Sequence, residues 1–292
     1  MKPLASILSL MLLLCSSQGY AVDSDVAACY LPTQSDVSYT QLIDLPTSSP
    51  NELIHYGKKD IQFGELWLPG DGQIHDGQKA PLIIFIHGGC WLNQYDINHS
   101  HALSTALAQA GYAVWAIEYR RVGDQGGGWP SSLQDIEKAI TYVAELTEYP
   151  IDLNKVALAG HSAGGHLALL AGANSSSIGD AGFKAVIGLA PIVDLAEYSK
   201  GGNSCQTAVS SFMGGSLLDR AAQYAKANPV EVGLPDNTLL IHGSVDSIVP
   251  PEQSDNRDVD LKVVEGAGHF DAIHPGTPAF QVLLRELAKV FK

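Results

Sequence analysis

Basic residues are scarce in this chain of 292 residues: 17 Lys and Arg stand against 31 Asp and Glu, a formal net charge of −14. So acidic a surface repels phosphate backbones, which argues against a nucleic-acid partner. Charged residues of both signs reach only 16%, without long runs, against 46% hydrophobic, a balance that excludes a disordered chain. Cysteine is rare too, with four in all. No two cysteines are close and no Cys/His spacing matches a zinc site, so no metal is expected. Nucleotide fingerprints are absent, and no cofactor is expected. Beyond the first residues no run approaches the roughly 20 apolar positions that a bilayer span requires. What remains is an acidic, globular chain with ample apolar material for a core.

The N-terminus reads as an export signal. Lys2 supplies the positive start, Leu4 to Leu14 form an apolar run broken only by Ser6 and Ser9, and Gly19 and Ala21 flank Tyr20 as a cleavage site. Residues 1–21 are therefore expected to be a signal peptide that leaves residues 22–292 in the periplasm or outside the cell, without stable membrane insertion. Cys29, Cys90 and Cys205 then remain, and outside the cytosol two of them can pair.

Residues 22–58 are polar and proline-bearing, an extended lead-in. Ile61 to Leu68 alternates apolar with polar and reads as an antiparallel edge strand. From Leu82 the pattern becomes one of short buried strands alternating with helices. Strands are expected at 82–86, 113–117, 156–159, 185–189, 238–241 and 261–264. Helices are expected at 99–110, 131–146 with Ser131 as a cap, 163–173, and from Pro278 onward. Such alternation predicts a parallel sheet covered on both faces. Residues 191–237 carry no strand signal and are expected to form a small helical cap on a single domain.

Gly160-His161-Ser162-Ala163-Gly164 fits G-x-S-x-G and lies between a buried strand and an Ala/Leu-rich helix. In that context the glycines permit a sharp turn that exposes a serine nucleophile, and the helix aims free N–H groups at it. A serine requires a base and the base an orienting carboxylate. Asp246 follows strand 238–241, and His269 follows strand 261–264 inside a glycine-rich loop, in the order this architecture uses. His274 is a weaker candidate base, and Asp271 and Asp194 are weaker candidate acids.

His87-Gly88-Gly89-Cys90-Trp91 follows the central strand 82–86. Its consecutive glycines suit an oxyanion hole made of the N–H groups of Gly88 and Gly89, completed by that of Ala163. His87 is read as structural. Trp91 is read first as packing, and with Trp129 and His161 it makes up the candidate substrate contacts. Arg120 and Arg121, in the glycine-rich lip that ends at Trp129, are more readily paired with acids than with substrate. Cys90 follows the oxyanion glycines and Cys205 lies in the cap, so these two are the expected disulfide.

Together, His87–Trp91, Gly160–Gly164, Asp246 and His269 resemble the α/β-hydrolase superfamily, and within it the hormone-sensitive-lipase-like and kynurenine formamidase-like esterases. The likeness spans roughly residues 61–290. It implies an α/β-hydrolase fold with an eight-stranded, mostly parallel sheet, and a Ser162–His269–Asp246 triad. The expected function is an exported serine hydrolase of small-molecule carboxylic esters with short to medium acyl chains. Formamidase or amidase, peptidase, and acetyl or feruloyl esterase on polysaccharide are alternatives that pocket shape would decide. A hydrolase fold kept as a binding module is the non-enzyme alternative, although no triad member is missing. The sequence fixes no oligomeric state.

Overall fold

The computed structural model describes residues 28–70, 77–174, 182–255 and 257–292. The expected signal peptide, residues 1–21, lies outside them. In chain order the elements are α1 (Tyr39–Ile43), β1 (Glu52–His55), β2 (Phe63–Trp67), β3 (Ala80–Ile86), α2 (His101–Gln109), β4 (Ala113–Ile117), α3 (Ser131–Tyr142), β5 (Ile151–His161), α4 (Ala163–Asn174) and β6 (Ala185–Leu189). Four short helices follow: α5 (Leu195–Tyr198), α6 (Ser204–Met213), α7 (Ala221–Ala227) and α8 (Pro229–Val232). Then come β7 (Thr238–Gly243), β8 (Asp260–Val264) and α9 (Pro278–Val290).

The strands form one eight-stranded sheet in the order β1-β2-β4-β3-β5-β6-β7-β8. β1 and β2 run antiparallel to their neighbours, and the rest are parallel. β3 is the turning point, since β4 lies on one side of it and β5 on the other. A crevice opens at the carboxyl ends of strands at such a reversal.

Alternation along each central strand builds two cores. Leu82, Ile84 and Ile86 of β3 face α3, α4 and the cap, together with Trp115 and Leu158. Ile83 and Phe85 face α2 and α9, with Leu103, Leu107, Leu283 and Leu287. α9 opens on Thr277, whose hydroxyl accepts the Phe280 N–H, and on Pro278, which suits a first helical turn. α4 is buried on all sides from Ala163 to Gly172, because it runs between sheet and cap.

Two local expectations change. β2 pairs on both sides, so the edge is β1, in a stretch read as lead-in. β2 nonetheless keeps a polar inward residue, Glu65, which is satisfied by His101 at 2.8 Å. Ser131 begins α3 without capping it. Its neighbour Ser132 instead donates its hydroxyl to the Arg120 carbonyl at 2.6 Å, fastening the loop before the helix.

Candidate active site

β5 ends at His161 and α4 begins at Ala163, so Ser162 alone turns the chain. It adopts φ 56°, a left-handed conformation that costs a non-glycine residue about 1–3 kcal/mol. Its N–H donates to the Leu189 carbonyl at the end of β6, 2.9 Å away. The flanking glycines answer a lack of room. A Cβ on Gly160 would strike the backbone of Gly164, and one on Gly164 would strike the Ile86 and His87 carbonyls. Ser162 is only 2% exposed, so its hydroxyl lies in a confined space.

β3 runs directly into the loop His87–Trp91. Gly89, Cys90 and Trp91 take φ values of 106°, 54° and 58° in succession, a left-handed run that reverses the chain beside Ser162. A Cβ on Gly88 would lie 2.9 Å from the His161 carbonyl oxygen and 3.1 Å from the Ser162 Cβ, so the loop rests on the serine turn. Among the described residues, no acceptor takes the N–H of Gly88, Gly89 or Ala163. His87 is fully buried and braces the loop, with Nδ1 2.8 Å from the Gly88 carbonyl and Nε2 3.0 Å from Glu118. Glu118 also accepts the N–H groups of Tyr119 and Ile97 at 2.8 and 3.1 Å, and pairs with Arg121 at 3.1 Å. Burial pushes the Glu118 carboxyl up, but His87, Arg121 and the Tyr119 N–H outweigh it and bring it below its ordinary value.

Asp246 and His269 come from the loops after β7 and β8. His269 Nδ1 donates to Asp246 Oδ2 at 2.7 Å, and Asp246 Oδ1 accepts the N–H groups of Ile248 and Val249 at 2.9 Å each. Burial alone would raise the Asp246 carboxyl. His269, His242 and the Val249 N–H reverse that and hold it well below the usual carboxylate range. The His269 loop is fastened from two sides. Asp271 accepts the Gly268 N–H at 2.7 Å and the Asp36 N–H at 2.8 and 2.9 Å. His161 Nε2 donates to the His269 carbonyl at 2.9 Å, with the two rings 4.7 Å apart. Burial and the neighbouring His269 push His161 well below the ordinary imidazole value, which keeps it neutral.

The competing acids and base have other tasks. Asp194 caps α5 through the Glu197 N–H at 3.0 Å and accepts Asn228 at 3.1 Å. Asp271 is spent on backbone N–H groups, and His274 Nδ1 accepts the Gly276 N–H at 3.1 Å.

The three expected substrate contacts fall in different surroundings. Trp91 is 0% exposed: its left-handed backbone turns the indole inward, where it stacks on Phe212 at 4.8 Å and 15° and meets the His166 ring edge-on. His161 is buried as well, and its Nε2 holds the His269 loop. Trp129 is partly buried at the rim, its Nε1 3.3 Å from Gln223 of α7, and stays a candidate. Arg120 pairs with Asp135 at 2.7 Å and Arg121 with Glu118, as the acid-rich composition favours. Cys90 and Cys205 are joined in a disulfide that links the glycine loop to α6.

Sequence reading passed over Glu118, His242 and Asp36. The first two each sit where a buried strand ends, a position that marks this site throughout. Nothing local distinguishes Asp36.

The described fold has counterparts of known structure. Esterase B from Lactobacillus rhamnosis superposes with a TM-score of 0.70 at 22% identity, over 86% of this chain and 89% of that one, a likeness of fold. A truncated carbohydrate esterase from gut microbiota superposes with a TM-score of 0.67 at 25% identity, over 84% of this chain and 96% of that one. By sequence, the chain is 27% identical to Esterase LipC of Mycobacterium tuberculosis across 75% of its own length and 59% of that protein's. It therefore spans little more than half of that relative. The family model BD-FAE matches residues 72–261, well over half of the chain. The chain belongs to the BD-FAE family, of α/β-hydrolase type.

Proposed function

We propose that this protein is a serine hydrolase cleaving carboxylic esters of short to medium acyl chain, with Ser162 as nucleophile, His269 as base and Asp246 as acid. The observation that carries the reading is the meeting of three features at the carboxyl ends of the parallel strands. These are a serine held at φ 56°, a 2.7 Å imidazole–carboxylate bond and N–H groups of Gly88, Gly89 and Ala163 with no acceptor among the described residues.

With Nδ1 engaged by a charged Asp246, His269 keeps Nε2 for the serine proton. As Ser162 Oγ attacks the ester carbonyl, the oxyanion accepts the N–H groups of Gly88, Gly89 and Ala163, and the N-terminus of α4 adds its dipole. His269 then gives its proton to the departing alkoxide, and a water activated in the same way releases the acid from Ser162. Asp246 holds the tautomer and stabilises the transient imidazolium. An export signal over residues 1–21 accompanies this reading, and the Cys90–Cys205 disulfide supports an oxidising compartment. A second reading, acyl esters carried on carbohydrate, is favoured by the likeness to the gut carbohydrate esterase.

The test is turnover of p-nitrophenyl acetate, butyrate and octanoate beside acetylated xylan, together with Ser162→Ala and a fluorophosphonate probe. Ester turnover that drops by about 10⁴-fold or more in Ser162→Ala, with probe labelling lost, is the expected result. Wild-type protein that neither turns over any ester nor takes up the probe would sink the reading. Deacetylation of xylan in preference to the small esters would select the carbohydrate one.

A further inference from the structure

His242 lies near the end of β7, with a fully buried side chain and no place in the reaction described so far. Its Nε2 is 2.9 Å from the Val249 carbonyl and 3.4 Å from Asp246 Oδ2, the oxygen that also receives His269. A carbonyl only accepts, so Nε2 carries the proton, shared unequally between Val249 and the carboxylate. On the opposite side Nδ1 is 2.7 Å from the Ser254 hydroxyl, which donates to it in the neutral ring. Ser254 and Val249 thus fix both the tautomer and the tilt of the ring. Oδ1 of Asp246 is meanwhile filled by the N–H groups of Ile248 and Val249.

We infer that His242 is a positioning residue for the triad: it presents a second N–H to the Asp246 oxygen that binds His269, fixing the carboxylate plane and drawing charge away from that oxygen. This inference rests on the proposed triad. Removing the second donor does two things. The carboxylate gains freedom to swing away from His269, which lowers kcat. Its oxygen also becomes a stronger acceptor, favouring the protonated form of its remaining partner, so the acidic limb of kcat/KM moves to higher pH. Among the described residues, the titratable groups facing this carboxylate are few. Besides His242 and His269 they are Tyr198 of α5, whose hydroxyl donates to the Ile248 carbonyl at 3.0 Å, and His161 at the end of β5 behind His269. Asp271 faces the same loop but is held by Gly268 and Asp36.

The experiment is a pH profile of p-nitrophenyl acetate hydrolysis for wild type, His242→Phe, His242→Gln and Ser254→Ala, each with its melting temperature and its fluorophosphonate labelling rate. His242→Phe is expected to lose about 10- to 100-fold in kcat, with KM little changed and the acidic limb raised. His242→Gln, which retains an N–H donor, restores most of the loss. Should His242→Phe fail to fold, Ser254→Ala carries the test, because a ring released from Ser254 keeps only its Val249 partner, loses its fixed tilt toward Asp246, and the limb moves in the same direction. Active wild type with an unmoved acidic limb in every folded variant overturns the inference. A wild type that is inactive and unlabelled overturns the triad reading instead.

Discussion

Ser162 and Gly88 show how little freedom single positions have at this site. With the Gly88 backbone already against the serine turn, Gly88→Ala forces the glycine loop away from Ser162. Its expected signature is a fall in kcat of about 100-fold with the melting temperature close to wild type. A variant as active as wild type would remove Gly88 from the oxyanion role. Asp246→Asn is expected to cost about 10⁴-fold in kcat while leaving the fold intact. Asp194→Asn touches only the cap of α5 and its Asn228 contact, so it should cost under about 1 kcal/mol of stability and little activity. The reverse ranking would transfer the acid's role to Asp194. Residue order and strand context made the meeting of Asp246 and His269, and the strand-to-helix turn at Ser162, legible in the sequence. Direction was not legible. Trp91 and His161 adjoin the candidate site along the chain, yet a left-handed backbone turns one indole into the core, and a carbonyl partner holds the other ring behind His269. His242 was hidden for a related reason, since a histidine ending a buried strand looks like any strand residue until Asp246 folds back on it.

Between elements, the important joint is that between the glycine loop and the cap. The loop's left-handed run from Gly89 to Trp91 is held by the disulfide to Cys205, by the stack of Trp91 on Phe212, and by the 2.8 Å bond from the Val122 N–H to the Trp91 carbonyl. His166 of α4 adds a 2.7 Å bond from Nε2 to the Ala227 carbonyl of α7. Disulfides closing loops of this length stabilise by about 2–5 kcal/mol. Cys205→Ala paired with Cys90→Ala should therefore lower the melting temperature. It should also lower kcat, because the residues released carry the N–H groups proposed as oxyanion donors. Lost stability with undiminished kcat would mean that stacking alone holds the loop. The sequence indicated both this pairing and the helical character of the cap, because compositional breaks between strands are local. It misjudged the sheet edge, because Glu52–His55 is too polar to announce a strand and forms one only by pairing with β2.

Across the whole molecule, acid sensitivity is built into the interior. Burial pushes His99 down to about 3 and His166 down to about 4, and holds His161 well below the usual 6.5. In the unfolded chain these rings take up protons as pH falls through about 6.5, while in the folded protein they remain neutral to lower pH. The unfolded state then binds more protons, so stability declines on acidification by roughly 1.4 kcal/mol per pH unit for each ring. Asp246, held low in the fold, adds a loss of the same direction only below about pH 4. Melting temperatures taken from pH 7 to pH 4 should fall steadily, and a flat profile would contradict neutral burial of these histidines. The strand order bears on a different quantity. The glycine loop, the serine turn, the acid and the base hang from β3, β5, β7 and β8, four separate strands of one sheet. Their mutual distances are therefore set by the packing of Ile84, Leu158, Leu240 and their neighbours rather than by any one loop. Ester turnover acts on this account as a caliper on the sheet, registering shifts of a few tenths of an ångström in the core that a melting curve would pass over.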